Sequence, residues 1–136
     1  MKRVKKFVFL TLATALLVAP TASFADSTII DPEEGVGINV YNPTMQDGDS
    51  TMLRSARGGD IQGDKVYVAG GTLWATWRSG TSFRANYDHR SKVHRSSAVN
   101  DNGKALRSDW VSKGSRAISP WNYQTLYGNR VFGATK

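Results

Sequence analysis

The stretch ANYDHRSKVHRSSAV, running from Ala85 to Val99, holds both histidines of the 136-residue chain. Two imidazoles so close together raise metal ligation and acid–base catalysis first. Their spacing argues against ligation, because residues five apart share a face of neither a helix nor a strand. Zinc takes three or four ligands, the chain has no cysteine, and Asp88 is the one carboxylate at hand to join them. No metal and no cofactor is expected. Each imidazole is expected instead to satisfy a local backbone or hydroxyl group beside a turn.

Covalent and carboxylate chemistry find as little support. Serines are plentiful, yet no Gly-x-Ser-x-Gly elbow is present. From Lys65 onward the carboxylates are Asp88, Asp101 and Asp109, and Asp101 belongs to a turn signal. A glycosidase needs two suitably spaced acids, and no such pair stands out. No catalytic residue is nominated, and the chain reads as a binder and not an enzyme.

Binding chemistry is better represented. Between Arg78 and Arg116, nine arginines and lysines are interleaved with tryptophan and tyrosine. In a cytosolic protein that mixture points to nucleic acid. The N-terminus argues for export instead: MKRVKK precedes an apolar run from Phe7 to Val18, then Pro20 and the small-residue frame Ser23-Phe24-Ala25. This is a secretory signal over residues 1–25, with cleavage expected between Ala25 and Asp26. The run is shorter than the roughly 20 residues a membrane span requires. An extracellular protein without a nucleic-acid partner is therefore expected, and the absence of cysteine fits Gram-positive secretion.

Outside such a cell the polyanions are teichoic acids, anionic lipids and lipid-linked pyrophosphates. Arginine and hydroxyl groups suit diphosphate oxygens through charge-assisted hydrogen bonds. The competing explanation carries equal weight: strand edges are often studded with Arg and Lys to keep them soluble.

The charge is polarised along the chain. The formal net charge is +7, but four bases fall in the signal segment. Residues 26–64 hold eight acids against Arg54 and Arg57, whereas residues 65–136 hold twelve bases against three acids. The acidic segment has Tyr41 as its one aromatic residue, and Gly, Asp, Pro and Ser interrupt each apolar run. It is expected to be largely flexible, as a spacer, a pro-segment or a mask over the basic half. RSAR at Arg54–Arg57 is a candidate processing site of low specificity.

From Lys65 the texture becomes β. Leu73, Ala75 and Trp77 alternate with polar neighbours, as do Phe83, Ala85 and Tyr87, which predicts a hairpin turning at Arg78–Thr81. Val93–Val99 is a further strand, Asn102-Gly103 a tight turn, and Lys104–Val111 its return. Six or seven short strands in about 70 residues predict an all-β domain, a small antiparallel β-sandwich. All four tryptophans lie in this half, and their burial helps so small a domain to stability without disulfides. Packing, or packing plus self-association as a homodimer, has to supply the rest.

Tyr87-x-His89-x-Ser91-Lys92-x-His94-x-Ser96-x-x-Val99, followed by Asn100 and Gly103, resembles the lactococcin 972 family of secreted bacteriocins. Gly70-Gly71-Thr72 with Trp74, and Trp110-Val111 with Lys113-Gly114, Ser115 and Ala117, extend the likeness over about Val68 to Tyr127. Leu73 separates Thr72 from Trp74, which the family usually keeps adjacent. The resemblance implies an exported, unmodified antibacterial protein with a disulfide-free β-sandwich. It also implies action at the cell-wall precursor lipid II, blocking septum formation without pores. Dedicated immunity partners, a multi-pass membrane protein and an ABC-type ATPase, are then expected to be encoded nearby. Candidate ligand-binding residues are Tyr87, His89, Ser91, Lys92 and His94 of the motif, with Arg84 and Arg95 from the basic face. The alternative is a secreted cell-wall-binding module without toxicity.

Overall fold

A computed structural model describes residues 28–42, 59–78 and 80–136. The signal segment, the Ala25–Asp26 cleavage point and the RSAR stretch lie outside the described residues. In chain order the described strands begin with β1 (Ile29–Asp31), β2 (Gly35–Asn39), β3 (Ile61–Gln62), β4 (Val66–Val68), β5 (Gly71–Arg78) and β6 (Ser82–Asp88). They continue with β7 (His94–Val99), β8 (Ala105–Arg107), β9 (Arg116–Ile118), β10 (Asn122–Tyr123) and β11 (Arg130–Thr135).

The central hairpin follows from alternation. β5 and β6 pair antiparallel, with Leu73 opposite Tyr87, Ala75 opposite Ala85 and Trp77 opposite Phe83. All six are buried. The intervening residues necessarily face the other way, so Trp74, Thr76 and Arg78 share the outward face with Ser82, Arg84 and Asn86. β3 and β4 pair with the free edge of β5, and β9 and β10 with the free edge of β6. The second sheet has the order β1-β2-β11-β7-β8. Its inward residues Ile38, Ala98 and Val131 meet those of the β5–β6 hairpin in one core. The architecture is an all-β antiparallel sandwich.

The expectation of a largely flexible acidic segment is corrected for its described parts. β1 and β2 form a hairpin, and β2 lies along β11 from Arg130↔Asn39 to Gly133↔Val36. The apolar runs here are too short to make a core alone, but Ile38 completes one built by distant strands. Gly37 has no side chain because the Phe132 ring fills the space; a Cβ there would lie 2.4 Å from Phe132 Cδ1. The acids find partners as well. Asp31 Oδ1 accepts the N–H groups of Glu33 (2.8 Å) and Glu34 (2.9 Å), closing the β1–β2 turn. Buried Glu34 accepts from Arg107 Nε at 2.7 Å, on the far strand of the same sheet.

The turn at Asn102-Gly103 also differs from the expected two-residue form. Gly103 alone of the pair takes a positive φ, +76°, and its N–H donates to the Asn100 carbonyl at 3.0 Å. This is a wider turn ending in a left-handed glycine. The return strand pairs regularly over Ala105–Arg107, and Val111 rejoins His94 as an isolated bridge. The tight two-residue turn lies elsewhere, at Ala69-Gly70 between β4 and β5, where both residues have positive φ (49° and 82°).

Two predictions follow from these local chemistries. Ala69 is exposed and adopts a backbone that L-alanine resists. Ala69→Asn should therefore raise the urea midpoint by about 0.5–1 kcal/mol in stability at constant m, and Ala69→Val should lower it. The second concerns acid. Two backbone N–H groups, those of Glu34 and Glu33, hold the Asp31 carboxyl below its ordinary value of 3.8. Burial pushes the Glu34 carboxyl up, but the Arg107 guanidinium outweighs it and leaves Glu34 below its ordinary 4.5. Depressed carboxyl values contribute stability that is complete above the unfolded values and lost as pH falls through the folded ones. Melting temperature should thus decline as pH drops below about 4.5, and Glu34→Gln should flatten that decline in melts recorded at stepped pH.

Candidate functional site

Tyr87 is the centre of the motif and has no exposed surface. Its ring fits where two glycines leave room: a Cβ on Gly71 would lie 2.6 Å from Tyr87 Cε2, and one on Gly133 2.7 Å from Cδ1. The hydroxyl donates toward the carbonyls of Val68 (3.0 Å) and Ala69 (3.3 Å). Burial pushes the phenol up to about 12, so it remains a neutral donor. Edge contacts join it to His89 and His94, with ring centroids 6.0 and 5.6 Å away.

Both imidazoles are buried and engaged with backbone. His89 Nδ1 accepts the N–H groups of Ser91 (3.2 Å) and Lys92 (3.1 Å), which leaves Nε2 to donate to the Ala69 carbonyl at 3.2 Å. His94 turns Nδ1 to the Lys92 carbonyl (2.8 Å) and Nε2 to the Ser115 carbonyl (2.7 Å). Neither ring nitrogen pair faces solvent. Among the described residues no three His, Cys, Asp or Glu side chains converge as a metal site. Of the sequence-nominated binding residues, Tyr87, His89 and His94 thus sit inside one end of the sandwich. Ser91 and Lys92 lie exposed on the turn beside them, and Arg84 and Arg95 stand on separate faces.

The outward face of β5 and β6 carries an arrangement the motif does not include. Trp121 lies between Arg78 and Arg84, whose guanidinium carbons are 3.9 and 4.4 Å from the ring centroid. Trp74 lies between Lys65 and Arg116, each 4.7 Å away. Trp110, at the far edge of the other sheet, has Arg95 and Lys136 at 4.7 Å. Three tryptophans are therefore each flanked by two cations, a geometry attractive through the ring quadrupole. Between the first two runs a polar strip: Gln62 Oε1 accepts from Trp74 Nε1 (2.8 Å) and Thr76 Oγ1 (2.9 Å), and Asn86 Nδ2 donates to Thr76 Oγ1 (2.8 Å).

These cations differ in their electrostatic state. Arg116 is held by Asp88 through two contacts of 2.9 and 3.0 Å, and Arg78 by Asp60 at 3.3 Å. Among the described residues Arg84 is in no salt bridge with a carboxylate; its Nε is buried without a hydrogen-bond partner, and its guanidinium lies over Trp121. Lys65, Trp74, Trp110, Trp121 and Lys136 were not nominated from sequence. The mixture of cations and aromatics was visible there, but which cation faces which ring depends on strands far apart in the chain.

If the histidines hold the motif together, His94→Phe should keep the ring and lose both carbonyl partners. It should cost about 2–4 kcal/mol, read as a lowered thermal midpoint, and a melt unchanged from wild type would refute that role. Excess zinc should leave the wild-type midpoint where it is. Comparison of the chain with family models, with curated proteins and with solved structures finds no match.

Proposed function

We propose that the protein is a secreted bacteriocin that binds the lipid-linked cell-wall precursor of related bacteria, lipid II, and blocks septum formation without catalysis or pore formation. The observation that carries this reading is the Arg78–Trp121–Arg84 clamp on the outward sheet face. Stacking on Trp121 removes much of the freedom of both guanidinium groups before any ligand arrives, so little ordering cost remains at binding. Arg84 is in no salt bridge with a described carboxylate, and arginine forks match diphosphate oxygens in pairs. The signal-like N-terminus and the histidine motif support the same assignment. The ligand would be met outside the cell, and dedicated membrane immunity proteins would protect the producer.

One observation favours the second reading, a wall-polymer-binding module without toxicity. Asp60 and Asp88 partly neutralise this face, which suits weak multivalent contact with an anionic polymer more than tight capture of one headgroup.

Residues 26–136 should inhibit growth of a susceptible relative and disturb its septation. The Arg78→Ala/Arg84→Ala double variant should raise the inhibitory concentration by about tenfold or more, since charge-assisted hydrogen bonds of this kind carry about 1.5–3 kcal/mol each. Lys113→Ala, in the loop before β9, should not change it. Salt-sensitive retention on purified walls with no effect on growth across a broad panel would instead establish the second reading.

A further inference from the structure

Of the nine large apolar side chains that stand exposed among the described residues, four lie together at one end of the sandwich, and Ile30, Tyr67, Val93, Trp110 and Ile118 stand elsewhere. Tyr41 is 54% exposed, Tyr123 76%, Leu126 66% and Tyr127 72%. Tyr41, Leu126 and Tyr127 line one shallow cleft of about 400 Å³. Tyr123 stands in the same cross-strand row as Ser82 and Arg78, on the outward face beside the Trp121 clamp. A loop in water would ordinarily fold such side chains inward, but here the backbone is fastened so that they point out. Thr125 N–H donates to Asn129 Oδ1 (2.9 Å), Asn129 Nδ2 to the Thr125 carbonyl (2.6 Å), and Thr125 Oγ1 to the Tyr127 carbonyl (2.7 Å). The Val40 N–H donates to the Asn129 carbonyl (2.9 Å), the Gln124 N–H to that of Thr81 (2.9 Å), and the Asp101 N–H to Thr125 Oγ1 (3.0 Å). Four segments are tied into one rigid tip.

Bases stand on both sheets beside the tip. Arg78 and Arg84 flank it on one sheet, and Lys104 and Arg130, joined through Asn100, on the other. The acids nearby are Asp60, which faces Arg78, Asp64, which lines a cleft with Tyr41, and Asp101. Tyrosines with one leucine, on a rigid projection with arginines and a lysine beside it, have the composition of a bilayer-interface anchor. The rings sit at headgroup depth, the leucine reaches the acyl boundary, and the bases meet lipid phosphates.

We propose that this tip, formed by Tyr41, Tyr123, Leu126 and Tyr127, docks the protein on the surface of an anionic bilayer and sets the Arg78–Trp121–Arg84 clamp at headgroup level. The inference rests on the precursor-binding reading for what the clamp then holds, but docking itself needs no precursor. It explains how a small soluble sandwich reaches a ligand whose diphosphate lies at the membrane surface.

The test uses residues 26–136, which contain every described element, and vesicles free of precursor. Sedimentation with phosphatidylglycerol/phosphatidylcholine vesicles should retain the protein, salt should weaken retention, and pure phosphatidylcholine should retain little. Leu126→Asp/Tyr127→Asp should weaken apparent affinity by about tenfold or more with an unchanged melting temperature, because both side chains are exposed. In a Leu126→Trp variant, brominated lipid should quench the added fluorescence. Equal binding by the double-aspartate variant, or no such quenching, would overturn the proposal. So would a sedimentation shift from dimer to monomer in that variant without vesicle binding, which would make a second copy of the chain the occupant. Vesicle capture that appears only when precursor is added would overturn docking and leave the precursor reading standing. Docking that added precursor does not strengthen would do the reverse.

Discussion

Everything at the motif end of this sandwich depends on one tyrosine ring occupying the space that two glycines vacate. Tyr87 projects from β6 of one sheet, and the atoms it would collide with if Gly133 had a side chain belong to β11 of the other. Gly71, its neighbour on β5, is bare for the same reason. A close-packed interior has no slack to accommodate a methyl group at either position. The buried hydroxyl then needs an acceptor, and the Ala69-Gly70 turn supplies it. That turn carries Ala69 in a left-handed conformation, and its carbonyl receives both Tyr87 and His89. Strain in the turn is thus offset by two side chains that hold it.

The histidines extend the same logic outward. His89 organises the N–H groups of the loop that follows it, and His94 joins that loop to the strand entering at Ser115. A surface-binding role asks for exposed donors, whereas these rings are enclosed and already engaged. The motif is best understood as the device that closes one end of the sandwich. The outward sheet face and the opposite tip are the surfaces on which the proposed binding rests.

Where sequence reasoning succeeded, the signal was local. The alternation from Leu73 to Tyr87 fixes which residues are inside, because a pleated strand allows two faces and one was polar. The engagement of each imidazole with nearby backbone agrees with one of the two readings that the sequence left open for the histidines. What could not be read was pairing across the chain. β2 looked too poor in apolar residues to order, yet its partner β11 lies more than ninety residues later and brings the missing half of the contact. Asn102-Gly103 signals a turn but not its width, which the Asn100 carbonyl decides. Trp110 meets Lys136, and Trp121 meets Arg78, only because the sheets bring them together.

The opposed charges of the two halves acquire a meaning once they are folded together. Glu34 neutralises Arg107, the Glu33 carbonyl takes Arg95, and Asp60 takes Arg78, so acids and carbonyls of the N-terminal segment reach three bases of the C-terminal part. In its described parts the segment, for which a spacer, a pro-segment and a mask over the basic half were all open, lies against bases of the C-terminal part. Screening over about 8 Å at physiological salt keeps each of these effects close to its own pair. Of the described bases that no salt bridge holds, Arg84 and Lys104 lie toward the tip that carries the exposed tyrosines, Arg90, Lys92 and Lys113 lie at the motif end, and Arg130 also acts on the Asp31 carboxyl. At the tip the fold thus sets Arg78, Arg84 and Lys104 beside exposed apolar side chains that are far from them in the sequence. A surface that is anionic and has an apolar interior complements both features at once, and a purely ionic polymer complements one of them.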